Sequence, residues 1–286
     1  MTEHDGAWHD AQYDNRARVP GAAAIVAGWA ERSARTRERL HGLIDRPYGS
    51  EPSERADVFG ARPAGARAPV LLWIHGGYWR ALDKRDQSFV AEPFVEAGAI
   101  VVVPNYALAP AATLETIVLQ TVQAVAWTRR HAIGWGGDPT RLVVAGHSAG
   151  GHLAAMSVAC DWPRVARDLP ADTVRAAVSV SGLFELEPIR RTPFLNRDLA
   201  LDEASAARLS PAWMAAPRGR TLHALVGGDE SEEFLRQNRA IRTAWGARVV
   251  PTCEAVPGRN HMDILDELVD PSTRLHRLVR EALGLG

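Results

Sequence analysis

Leu142-Val143-Val144-Ala145-Gly146-His147-Ser148-Ala149-Gly150-Gly151-His152-Leu153 is an apolar strand run that passes directly into a Gly-x-Ser-x-Gly turn and then into a helix-forming stretch. This junction decides the fold. A sharp strand-to-helix turn lifts a serine hydroxyl out of a sheet, and Gly146 and Gly150 leave room for the backbone to pass through it. The helix that begins behind Ser148 aims free N–H groups and a partial positive charge at whatever oxyanion forms there. Ser148 is therefore the candidate nucleophile.

A second strand runs into glycines upstream, in Val70-Leu71-Leu72-Trp73-Ile74-His75-Gly76-Gly77-Tyr78-Trp79. Paired glycines let backbone N–H groups turn toward a substrate carbonyl, and the residue after the nucleophile donates from the other side. Gly77, Tyr78 and Ala149 are the expected oxyanion-hole donors. A serine hydroxyl also needs a neutral imidazole to take its proton and a carboxylate to fix that imidazole's tautomer, in the chain order serine, acid, histidine. The run Thr221-Leu222-His223-Ala224-Leu225-Val226-Gly227-Gly228-Asp229-Glu230 ends a strand on glycines and acids, and Asp229 is the expected acid. Glu230 is its nearest rival, with Asp263 and Asp266 behind it. A short strand from Cys253 to Val256 leads into Pro257-Gly258-Arg259-Asn260-His261-Met262-Asp263, which puts His261 on the following loop as the expected base. His223 lies within a strand and suits packing. His147 and His152 flank Ser148 too closely to reach back to its hydroxyl, so both are expected to be structural.

The combination HGGYW, GHSAGGHLA, GGDESEEF and GRNHMD resembles the kynurenine formamidase (arylformamidase) and related esterase branch of the α/β-hydrolase superfamily. The resemblance runs from about Tyr13 to the C-terminal helix. In HGGYW an aromatic residue follows two glycines, which separates this branch from lipases with three. The resemblance implies Ser148 as nucleophile, Asp229 as acid, His261 as base, and Gly77, Tyr78 and Ala149 as oxyanion hole. The segment Tyr13-Asp14-Asn15-Arg16-Ala17-Arg18-Val19-Pro20 resembles bacterial members of the branch and departs from the animal arylformamidases.

At 286 residues, 46% hydrophobic and 23% charged, the chain has the size and composition of one soluble α/β domain spanning residues 1–286. A net charge of −1 with no basic run excludes nucleic acid or an anionic membrane as the main partner, leaving a small-molecule ester or amide. Two cysteines, Cys160 and Cys253, are too few for a disulfide scaffold, and the polar N-terminus is no signal peptide, so a reducing cytoplasm is expected. Continuous apolar runs recur at 71–74, 100–103, 142–145, 176–180 and 222–226, with a shorter strand at 56–59. Helical patterns cover 22–40, 87–97, 114–131, 149–160, 232–245 and 272–283. Such alternation predicts a mainly parallel sheet flanked by helices, with ligands at the carboxyl ends of its strands.

The segment 183–217 breaks that alternation, and with residues 1–50 it is expected to form a small cap over the active site. Phe184 and Leu195 would then line the pocket together with Tyr78 and Trp79. His4-Asp5 and His9-Asp10 raise the alternative of a metal-dependent amidohydrolase, but a polar terminus without a strand or helix suits a solvated tail, so neither metal nor cofactor is expected. The resulting expectation is a serine hydrolase that removes a formyl or short acyl group from an aromatic leaving group. General short-chain carboxylesterase is the alternative, and an inert hydrolase-fold binding protein the less favoured one.

Overall fold

The computed structural model describes residues 5–286, and an eight-stranded sheet runs through its centre. Its strands are β1 (Leu43–Pro47), β2 (Arg55–Phe59), β3 (Ala68–Ile74), β4 (Ile100–Pro104), β5 (Gly137–His147), β6 (Ala176–Val180), β7 (Thr221–Gly227) and β8 (Cys253–Val256). They lie in the order β1-β2-β4-β3-β5-β6-β7-β8; β2 pairs antiparallel with both β1 and β4, and every other pairing is parallel. This is the α/β-hydrolase architecture expected from the apolar runs.

The runs are continuous because both sheet faces are covered. Val70, Leu72 and Ile74 of β3 pack into one core with Ile117, Val125, Leu153, Phe234 and Ile241 of the helices Leu114–His131, Ala149–Ala159 and Glu232–Val249. Leu71 and Trp73 point the other way, into a second core with Trp29, Phe94, Leu275 and Val279. Successive side chains of a strand face opposite sides, so a strand buried on both must be apolar throughout. The helices at 22–40 and 114–131 have the bounds their periodicity predicts, whereas the 87–97 pattern divides into Lys84–Gln87, a 3₁₀ turn at Ser88–Val90, and Ala91–Glu96.

Three N-terminal helices precede the sheet: α1 (Gly6–Tyr13), α2 (Asn15–Arg18) and α3 (Ala22–Leu40). The expected solvated tail is replaced by α1, in which the Asp5 side chain accepts from Trp8 N at 2.9 Å and both His9 and Tyr13 are buried. His4 lies outside the described residues. On α3, Trp29, Ser33 and Thr36 share the buried face, and Arg37 pairs with the buried Asp57 of β2. Lys84 Nζ donates to the same carboxylate at 2.9 Å and to Asp45 on β1 at 2.6 Å. Removing one member of such a buried ionic cluster would cost about 3–5 kcal/mol, so it pins α3 and the sheet edge together. Between β6 and β7 lie short helices at Glu187–Arg190, Pro193–Leu199 and Glu203–Arg208. Among the described residues no helix is long and apolar enough to cross a membrane, and Cys160 and Cys253 are both unbridged.

Candidate active site

The junction between β5 and the helix Ala149–Ala159 holds Ser148 at φ 56°, ψ −116°. An L-residue occupies that region only under about 1–3 kcal/mol of strain. The surroundings hold it there: Ser148 N donates to Val180 O of the neighbouring strand at 2.8 Å, and Ser148 O accepts from His152 N at 3.1 Å. The flanking glycines are required by space. A Cβ on Gly146 would sit 2.3 Å from Gly150 O, and one on Gly150 would sit 2.1 Å from Ile74 O.

Beyond β3 the chain turns through Gly77 (φ 108°), Tyr78 (φ 50°) and Trp79 (φ 56°). The Gly77 carbonyl accepts from the N–H groups of Arg80 and Ala81, both at 3.0 Å, which closes the turn. The turn's root is fixed by Tyr106, whose hydroxyl donates to His75 O at 2.9 Å and whose ring stacks on the His75 imidazole at 4.2 Å. Gly77, Tyr78 and Ser148 line one cavity of about 710 Å³ together with His261, and Ala149 directly follows Ser148. That volume suits a small organic ligand.

His261 is buried on the loop after β8, and the acid it meets is Glu230. Its Nδ1 lies 2.6 Å from Glu230 Oε2. The other carboxylate oxygen, Oε1, accepts from Ser181 Oγ at 2.5 Å and from Gly227 N at 2.7 Å. The carboxylate is thus held by three donors with its side chain wholly out of solvent. Asp229, the expected acid, is a correction: its side chain is exposed, and its backbone N–H donates to Arg259 O at 3.0 Å. The turn after β7 therefore sends its first acid outward and its second inward. Asp263 is engaged locally by Asn260, at 2.7 Å from both its N and Nδ2, and Asp266 pairs with Arg32 at 2.7 Å.

His147 is structural, and it acts directly on the His261 loop. Its Nε2 lies 2.9 Å from His261 O and the two rings are 4.7 Å apart, with Phe234 4.5 Å from the His261 ring on another side. Burial, and the neighbouring His261, push the His147 pKa well below the usual histidine range, so it is neutral and donates through Nε2–H to that carbonyl. His152 bonds Leu209 O at 2.8 Å and His223 bonds Thr252 Oγ1 at 2.9 Å, both packing roles. Among the described residues, no group of three or more His, Cys, Asp or Glu side chains is placed to hold a metal ion.

Proteins similar to this chain include named formamidases and esterases. The BD-FAE family profile matches residues 56–193. A kynurenine formamidase from Salmo salar is 31% identical over 271 residues, covering 91% of this chain and 88% of the relative. The chain belongs to the kynurenine formamidase family. An esterase of Mycobacterium tuberculosis is 36% identical over 264 residues, covering 84% of this chain and 60% of its own. A crystal structure from Silicibacter, provisionally assigned as a thioesterase, superposes with a TM-score of 0.81 at 28% identity, covering 96% of this chain and 97% of that one. The Pyrobaculum calidifontis esterase shares the fold at a TM-score of 0.68 and 18% identity, covering 92% and 93%. The chain is thus a hydrolase of the formamidase and esterase type.

The cavity of this kynurenine formamidase family member has different walls from those expected. Trp79 is fully buried in the core, its ring edge-on to His152 at 5.0 Å, and it does not line the cavity. Phe184 and Leu195 are likewise core residues; Phe184 N donates to Gln237 Oε1 at 2.8 Å. The walls come instead from Tyr13 to Ala17, from Val26 and Trp29 on α3, and from Phe194, Asp198 and Met262. Arg80 pairs with Asp198 and donates to Phe194 O at 3.0 Å, tying the turn after β3 to the helix Pro193–Leu199. The N-terminal part of this wall, residues 13–17, lies within the Tyr13–Pro20 segment.

Proposed function

We propose that the chain hydrolyses a formyl or short-chain acyl amide or ester with an aromatic leaving group, through an acyl-enzyme on Ser148. The observation that carries this reading is the buried Glu230–His261 contact of 2.6 Å, opening on the same cavity as Ser148 at its strained turn. In the first step Ser148 Oγ attacks the substrate carbonyl carbon while His261 Nε2 takes the hydroxyl proton. Glu230 accepts from Nδ1–H, which selects the tautomer with a free Nε2 and stabilises the imidazolium. The oxyanion is received by the N–H groups of Gly77, Tyr78 and Ala149. His261 then returns its proton to the leaving amine or phenol as the C–N or C–O bond breaks. Water, deprotonated by the same imidazole, attacks the acyl-serine and releases the acid.

Trp29, Tyr78 and Phe194 supply aromatic walls for the leaving group, and such ring contacts contribute about 0.5–1.5 kcal/mol beyond burial. Residues 13–29 and the helix Pro193–Leu199 serve as the cap in this reading. The test is a panel of N-formyl arylamines and of aryl esters with acyl chains from one to eight carbons, ranked by kcat/KM. Formyl and acetyl substrates are expected to lead. Faster cleavage of the eight-carbon ester than of the acetyl ester would convert the reading to a general carboxylesterase.

A further inference from the structure

The proposed chemistry makes no use of the junction between α1 and α2, although the junction is built against the turn that holds Tyr78. Asn15 is buried, and its Nδ2 donates to the Tyr78 hydroxyl at 3.0 Å. That hydroxyl in turn donates to Tyr13 O at 2.7 Å. Burial holds the Tyr78 phenol well above its ordinary pKa, so it keeps its proton and remains a donor. Tyr13 is anchored from behind: its hydroxyl donates to Glu233 Oε2 at 2.7 Å and accepts from Gln237 Nε2 at 3.2 Å, and its ring packs edge-on to Phe234 at 5.6 Å. Asp14 ends one helix and starts the next, its side chain accepting from Ala17 N at 3.0 Å. A rigid path therefore runs from the helix Glu232–Val249 through Tyr13 to the Tyr78 side chain.

Tyr78 sits at φ 50°, a conformation its own backbone does not favour. The bonds from Asn15 and to Tyr13 O add to those that close the turn around it. We propose that Asn15 and the Tyr13 carbonyl are positioning groups: by fixing the Tyr78 hydroxyl they fix the direction of the Tyr78 backbone N–H at the oxyanion. The inference rests on the reading of Gly77 and Tyr78 as oxyanion donors. It assigns the N-terminal motif a part in transition-state binding.

The experiment compares full-length wild type with Asn15→Ala, Tyr78→Phe and the double variant, using 4-nitrophenyl acetate. Active sites are counted with a fluorophosphonate, and affinity is measured for phenylboronic acid, which forms a tetrahedral adduct on a nucleophilic serine. Misplacing a catalytic dipole by a fraction of an ångström costs roughly 10- to 100-fold. Each single variant is expected to lose that factor in kcat per titrated site, with KM within about twofold and phenylboronic acid weakened in proportion. Because both variants cut the same link, the double is expected to be no worse than the more damaged single. Retention of kcat per site within twofold, even with a lowered Tm, would overturn the proposal and leave a structural clamp. So would a loss confined to KM that multiplies in the double variant, which would make Asn15 a substrate contact. Failure of the wild type to label at Ser148 would instead sink the serine mechanism before any variant is compared.

Discussion

Glu230→Gln against Asp229→Asn separates the two neighbouring acids. In the wild type, Glu230 Oε1 accepts from Ser181 and Gly227, and Oε2 faces His261 Nδ1 at 2.6 Å. A glutamine at 230 keeps its carbonyl oxygen toward Ser181 and Gly227, because Gly227 N–H needs an acceptor. Its NH₂ is then aimed at His261 Nδ1. That nitrogen must become the acceptor, the proton moves to Nε2, and the imidazole can no longer take a proton from Ser148. The wrong tautomer costs about 10⁴-fold in kcat, near 5 kcal/mol of transition-state stabilisation. Loss of one charge-assisted hydrogen bond costs the fold about 1.5–3 kcal/mol, so the variant stays folded. Asp229 is exposed, and what it contributes to the loop is its backbone N–H to Arg259 O, which asparagine retains. Asp229→Asn should hold kcat/KM within about threefold. The assay is kcat/KM on 4-nitrophenyl acetate at neutral pH, with Tm measured alongside. A drop of more than 100-fold for Asp229→Asn, with Glu230→Gln within tenfold of wild type, would refute the reasoning.

Ser148→Gly should abolish turnover yet raise Tm by a few degrees over Ser148→Ala, because glycine relieves the strain at φ 56°, ψ −116°; a Tm at or below that of the alanine variant would contradict strain at this turn. His152 is buried, and desolvation lowers its pKa to about 4, whereas the unfolded chain titrates near 6.5. Between those values only the unfolded state binds the proton, so this residue's contribution is intact above about pH 6.5 and falls by about 3 kcal/mol toward pH 4. His152→Gln should flatten the acid limb of Tm against pH, and parallel curves would count against the assignment. Trp79→Ala is expected to destabilise by about 3–5 kcal/mol without changing substrate rank, since the ring is core. Phe194→Ala, in the cavity wall, should instead erode the preference for aryl leaving groups at little cost in Tm, and the reverse pattern would restore Trp79 to the pocket.

The parts of the fold legible in the sequence are those where burial on both sides forces a pattern. Strands β3 to β7 are such places, and the helices at 22–40 and 114–131 have one clear buried face. Edge strand β1 was not legible, because all five of its residues are exposed and it takes its place from pairing with β2. Helix α1 was missed for a related reason. Eight residues do not hold a helix alone in water, and this one is held by the docking of His9 and Tyr13, which composition cannot register. Asp229 and Glu230 share a turn, and only the path of that turn decides that Glu230 points inward to His261 while Asp229 is exposed. Trp79 posed the same problem beside Tyr78. Adjacent side chains diverge, so one of the pair enters the cavity and the other the core, and the sequence holds no sign of which.

Among the described residues, nine non-glycine positions have positive φ, and five of them, Tyr78, Trp79, Leu82, Ser148 and Ser181, belong to the turns after β3, β5 and β6. Ser148 and Ser181 directly follow β5 and β6, and Tyr78, Trp79 and Leu82 lie on the loop after β3. Conformations of this kind persist only where the surroundings over-determine them, and the hydrogen bonds that do so can be named. Ser148 N is held by Val180 O at 2.8 Å, Ser181 N by Leu225 O at 2.7 Å, and Trp79 O by Ala109 N at 2.8 Å. The Ser148 and Ser181 turns are thus fastened through the adjacent strands β6 and β7, and the loop after β3 is fastened separately to the loop after β4. Tyr78 is the exception that the sheet does not explain. Its side chain is tethered to the N-terminal junction, so a segment some 130 residues before Ser148 in sequence is bonded to the turn after β3 in space.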